Sequence, residues 1–137
     1  NLTKYIVSYL VSILIANIIF SVYPTTVIRP EIKVTDLFTF LTSIIYYVDN
    51  PPFNCFPSMH CAISMLFILT ITTSKNINSK IKIFTTIISI LIMMSTLYTK
   101  QHVFIDLVSG DLIMLVIYTT FRNNKKLSNS VKKLLKL

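Results

Sequence analysis

Glycine is nearly missing from this chain: Gly110 is the only one in 137 residues. A glycine-rich phosphate loop is therefore excluded, because such loops need several residues that let backbone amides close on a phosphate. Tryptophan is absent, and five acids face thirteen lysines and arginines. Cys55 and Cys61 have no second pair to complete a zinc site, and read as small apolar fillers. The acids do not cluster as ligands of a hard cation either. No metal and no cofactor is expected. Charge itself is scarce: 13% of residues carry it, 53% are hydrophobic, and the mean hydropathy of +0.70 is not that of a soluble domain.

What is present is long uncharged sequence. Residues 5–28, 50–74 and 83–99 contain no charged side chain. About 20 apolar residues cross roughly 30 Å of hydrocarbon, so each run can supply a span. Trimmed to apolar cores, spans are expected at 5–22, 59–73 and 83–98. A fourth, 103–121, is apolar apart from Asp106, Ser109 and Asp111. Carboxylates within a span are costly and mark a polar cavity or a partner, so this helix is more than an anchor. The expected fold is all-α, a polytopic membrane helix bundle of four spans.

Cation placement orients it. Lys4, Lys75, Lys80, Lys82, Arg122, Lys125, Lys126, Lys132, Lys133 and Lys136 fall on one side of four alternating spans, and Arg29, Lys33 and Lys100 on the other. The positive-inside rule then places both ends of the chain in the cytoplasm, with the plasma membrane the expected location. Glu31, Asp36, Asp49, Asp106 and Asp111 all lie in the outer loop or the outer half of the fourth helix. The net charge of +8 is a topology signal, and no nucleic-acid partner is expected, because the basic residues flank spans and form no aromatic-interleaved patch.

Within the long outer loop, 24–57, residues 34–48 show apolar spacing of a helix too short to span. An interfacial or re-entrant helix between Asp36 and Asp49 fits, stopped by Asn50-Pro51-Pro52. Residues 1–122 read as one membrane domain and 123–137 as a basic cytoplasmic tail. Val131, Leu134, Leu135 and Leu137 suggest an amphipathic surface helix in that tail. The first apolar run lacks a small-residue cleavage pattern, so no cleavable signal is expected. The chain opens on Asn, and preceding sequence is expected to be missing.

Chemistry concentrates in three polar patches. His60 and His102 are the only histidines. His102 and Asp106, four apart at a helix start, share one face, so the carboxylate can orient and charge-stabilise the imidazole. Pro57-Ser58-Met59-His60 opens the second span, where free amides and the Ser58 hydroxyl make an anion site or an ordinary helix cap. Arg29, just past the first span, offers a planar charged fork for phosphate oxygens or a headgroup anchor. The topology brings all three patches to one side. An arginine, a serine with amides, and two histidines with an aspartate make a phosphoryl-transfer set that needs no metal.

Taken together, these residues resemble the type 2 phosphatidic acid phosphatase superfamily, which shares its site with vanadium haloperoxidases. Its motifs read K-x6-R-P, P-S-G-H and S-R-x5-H-x3-D. Arg29-Pro30 matches the end of the first. Pro57-Ser58-Met59-His60 matches the second with Met for Gly. Ser95, His102 and Asp106 match the third, with Gly110 following. The similarity covers about residues 23–110. Val22 stands where the first motif has Lys, and Thr96 where the third has Arg. Lys100 is the candidate replacement, with Thr25 or Tyr23 as hydrogen-bond donors. The Lys100-Gln101-His102 form and the Tyr23-Pro24-Thr25 opening look like the branch with inositol-phosphorylceramide-synthase-like members. The family core has six spans, which implies two more helices before this chain.

The resemblance implies a mechanism. Arg29, Lys100, Ser58 and nearby amides would hold the phosphate of a membrane lipid, His102 would attack phosphorus with Asp106 behind it, and His60 would protonate the leaving oxygen. Hydrolysis of a lipid phosphomonoester or diphosphate is the leading expectation. Transfer to an alcohol acceptor is the first alternative, and a non-catalytic membrane protein retaining the scaffold is the second.

Overall fold

Helix boundaries in this chain are set by side chains that satisfy the orphan amides of a first turn and by prolines that end a last one. The computed structural model describes residues 2–124 together with 129, 130 and 133. Five helices occur among them: α1 (Leu2–Val22), α2 (Leu37–Val48), α3 (Met59–Thr73), α4 (Ser79–Tyr98) and α5 (Phe104–Asn123). The described residues contain no strand beyond one isolated bridge, Thr26 to Phe53. The α1 helix ends just before Tyr23-Pro24, where a following proline disfavours helical backbone. At the start of α2 the Asp36 carboxylate accepts the Thr39 N–H at 2.9 Å, and the Thr39 hydroxyl accepts the Asp36 N–H at 3.0 Å. That reciprocal pair fixes the helix start on the expected residue. Asn78 caps α4 by accepting the Lys80 N–H at 2.9 Å, which begins the helix four residues ahead of its apolar core. The tail's amphipathic reading falls on Val131, Leu134, Leu135 and Leu137, outside the described residues.

Among the described residues three helices are long and apolar enough to cross a membrane: α1, α4 and α5, with 21, 20 and 20 residues. At 1.5 Å per residue each is about 30 Å long. The second expected span does form a helix over 59–73, but its 15 residues give only about 22 Å. Its shortness has a local cause, since the preceding Pro57-Ser58 turn brings the chain into the bundle before the helix begins.

Packing makes α3 the centre, with α1, α4 and α5 against it and α1 also against α5. Lipid is as apolar as leucine, so close approach and polar contacts decide which faces meet. Small residues supply the approach: Ser8, Ser12 and Ala16, four apart on α1, are all buried, as are Ala62 and Ser64 on α3. Gly110 on α5 goes further. A Cβ built there would run into the Ser58 carbonyl oxygen and lie 3.4 Å from the Ala62 nitrogen. Ala62, Leu66, Met114 and Tyr118 form one apolar cluster, and Val7, Ile117 and Phe121 another. At its far end α5 is tied to α3 by a 2.7 Å bond between the Tyr118 and Thr73 hydroxyls. Leu14, Ile18, Leu91, Leu112 and Val116 point outward, as lipid-facing positions do. The Lys4 ammonium donates to the Arg122 carbonyl at 3.5 Å, so the start of α1 and the end of α5 share one end of the bundle. The histidines lie at the other.

Candidate active site

Two connections bring the histidines together. The Pro57-Ser58 turn presents the start of α3, with the buried Ser58 hydroxyl accepting the Cys61 N–H at 3.4 Å. The α4–α5 turn presents His102 one residue before the N-cap Val103. A main-chain bond locks the two turns: Ser58 N–H donates to the Asp106 carbonyl at 3.0 Å. With no side chain at Gly110 to hold α5 away, this contact sets the distance between the two imidazoles.

The result is an imidazole pair. His60 Nδ1 lies 3.4 Å from His102 Nε2, with the rings edge-on at 60°. His102 is buried and His60 exposed. On its other side, His102 Nδ1 lies 3.5 Å from Asp106 Oδ2, a charge contact lacking hydrogen-bond alignment. The aligned bond of that carboxylate comes from the Val103 N–H at 3.0 Å, which caps α5. With the His102 proton on Nδ1 towards Asp106, Nε2 presents its lone pair to the side of His60. Burial, and then the neighbouring His60, push the His102 pKa below the ordinary value; Asp106 and the Cys55 carbonyl act the other way, less strongly. Burial thus favours the neutral imidazole.

Cations lie beside it. Arg29, Lys100 and His102 line one cavity of about 660 Å³, walled by Val27, Leu97, Val103 and Phe104. Lys100 has a positive φ of 52° and sits where α4 ends. Its N–H donates to Leu97 O at 3.1 Å and the Gln101 N–H to Thr96 O at 3.0 Å, the Schellman pattern that normally recruits glycine. The other expected phosphate contacts lie elsewhere. Ser58 is fully buried beneath its own helix cap. The Thr25 hydroxyl accepts the Phe56 N–H at 2.8 Å, pinning the strap after α1 to the Pro57-Ser58 turn. Thr25 and the exposed Tyr23 line a second cavity of about 400 Å³, on the Asp106 side.

The sequence profile of the PAP2 superfamily matches residues 2–127. The chain belongs to this superfamily. Searches of curated proteins and of solved structures return no match.

PAP2 membership gives the departures a structural setting. Val22, where the first motif carries Lys, ends α1 and is 80% exposed, so no cation reaches the cavity from there. Thr96, where the third carries Arg, is buried, with its hydroxyl donating to Met93 O at 2.8 Å and lying 3.9 Å from Cys61 Sγ. Met59, in the place of the second motif's glycine, packs against the Ala62–Leu66 cluster.

Sequence reasoning missed Asp49 and Tyr46. Arg29 donates through Nη1 to the Asp49 carbonyl at 2.8 Å, pairs through Nη2 with the Asp49 carboxylate, and stacks 4.9 Å over the Tyr46 ring. The one available signal was that an acid follows Arg29 in the same outer loop.

Proposed function

We propose that this protein is an integral membrane lipid-phosphate phosphatase acting through a phosphohistidine on His102, on a phosphomonoester or diphosphate of a lipid and without a metal. One observation carries the reading: His102 Nε2 faces His60 at 3.4 Å, and its ring also borders a cavity shared with Arg29 and Lys100.

The steps follow from that placement. Arg29 and Lys100 hold phosphate oxygens, and the exposed His60 ring swings aside to admit the phosphoryl group. His102 Nε2 attacks phosphorus as the bond to the leaving oxygen breaks, and protonated His60 gives that oxygen its proton. Asp106 balances the positive charge that develops on His102. Water then attacks phosphorus, His60 takes its proton, and the N–P bond breaks to release inorganic phosphate. The Lys100-Gln101-His102 form favours a second reading, an inositol-phosphorylceramide-synthase-like transferase, in which an alcohol replaces that water.

We place the site on the extracytoplasmic side, with α3 as a fourth pass and α2 at the interface. The segregation of cations supports this orientation. Phosphate release from phosphatidate, phosphatidylglycerol phosphate and polyprenyl diphosphate, with EDTA present, tests the function. Release from at least one is expected and should disappear in His102→Ala. No release from any of them contradicts the reading. Transfer of labelled headgroup to an added alcohol, in preference to water, selects the transferase.

A further inference from the structure

The fork of Arg29 is already occupied by an anion. Nη1 and Nη2 both engage Asp49, through its carbonyl and its carboxylate, while Tyr46 covers the guanidinium. Nε is buried without a hydrogen-bond partner, and the arginine side chain is 9% exposed against 48% for Asp49. Asp49 also borders a cavity of about 150 Å³ shared with His60, Gln101 and His102. A carboxylate thus sits on the cation beside the imidazole pair, where a phosphate oxygen would bind. Asp49 is also the C-cap of α2, and no residue of that helix is buried. The Arg29 clasp on Tyr46 and Asp49 is therefore a principal tie between α2 and the mouth of the site.

We infer that Asp49 is a resident competitor for Arg29 that the phosphate of the substrate must displace, releasing α2, and that this makes the site selective for doubly charged phosphate. A phosphodiester exchanges one negative charge for one and gains little over the carboxylate it removes. A terminal monoester or diphosphate brings a second charge, which Lys100 on the same cavity can meet. The inference deepens the proposed reaction by naming the charge class of its substrate.

A spin label at Leu41→Cys, on the exposed face of α2, reads the clasp without turnover, because Cys55 and Cys61 are buried. Inorganic phosphate at mildly alkaline pH, where it is mainly dianionic, should mobilise the label. Dimethyl phosphate, a monoanion, should not. Asp49→Asn, which keeps a capping side chain, should leave the label mobile without ligand. By calorimetry it should tighten inorganic phosphate about two- to fivefold, the weight of one half-exposed charge pair. An immobile label under high phosphate, equal mobilisation by dimethyl phosphate, or equal phosphate affinity in Asp49→Asn overturns the inference. A chain that hydrolyses no lipid phosphate yet shows these responses refutes the proposed reaction and supports the clasp. A working phosphatase showing none of them does the reverse.

Discussion

Replacing Lys100 with glycine should make the protein more stable and less active at once. Its φ of 52° lies in the left-handed region, at the residue after the α4 cap where two Schellman bonds close the helix. A non-glycine residue there costs about 1–2 kcal/mol in backbone energy. Glycine avoids that cost but gives back roughly 0.5–1 kcal/mol through the greater freedom of the unfolded chain. Lys100→Gly should therefore be about 1 kcal/mol more stable than Lys100→Ala, which keeps the penalty and also lacks the amine. If Lys100 binds the phosphate, both variants lose an oriented cation in the transition state, worth about 2–4 kcal/mol. That is about 30- to 1,000-fold in kcat/KM. Unfolding in detergent micelles and turnover of the best lipid phosphate measure the two effects on one preparation. Wild-type turnover in Lys100→Gly would refute the assignment of the amine to the substrate. Lys100→Gly no more stable than Lys100→Ala would refute the strain argument.

Other substitutions probe the remaining parts of the site. Gly110→Ala should push α5 from the Ser58 carbonyl, costing about 1–3 kcal/mol of stability and separating His60 from His102; unchanged unfolding and turnover would contradict the contact. His60→Ala should lose attack on lipid phosphates but retain the single-turnover burst of p-nitrophenolate from p-nitrophenyl phosphate, whose leaving group needs no proton; equal loss of both would remove the general-acid role. Because the His102 pKa is depressed in the fold, its proton is bound more tightly in the unfolded chain below about pH 6.5. Stability should therefore fall as pH drops below about 6.5, and His102→Asn should flatten that slope; an unchanged slope contradicts a buried neutral imidazole. In sealed cells, an impermeant thiol reagent should label Glu31→Cys, and Lys75→Cys only after permeabilisation; the opposite pattern would invert the proposed orientation.

Much of the fold was legible because charge is so sparse. Uncharged runs announced α1, α3 and α4, an apolar run broken by Asp106 and Asp111 announced α5, and Asp36 and Asp49 bracketed α2 on the residues that cap it. The reading blurred where charge and helix overlap: Lys80 and Lys82 looked like flank, yet Asn78 starts the helix before them. The length of α3 was hidden, because apolar composition does not reveal where a turn brings the chain inward. His60, His102 and Asp106 could be picked out as rare polar groups in apolar sequence, and the fold brings them together. Lys100 could be named as a cation, but its left-handed backbone could not be foreseen without a glycine to mark it. The clasp of Arg29 on Asp49 spans twenty residues of loop with no periodicity. Only the folded arrangement reveals it.

The claim most open to direct refutation is that His102 becomes covalently phosphorylated. Acid quenching destroys a phosphohistidine, so the reaction of phosphorus-labelled phosphatidate or polyprenyl diphosphate should be stopped in alkali and the peptides mapped by mass spectrometry. One acid-labile phosphoryl group is expected on the peptide containing His102, absent in His102→Ala and accumulating in His60→Ala with an activated substrate. Turnover with no phosphopeptide, or with the phosphoryl group on His60, would contradict it.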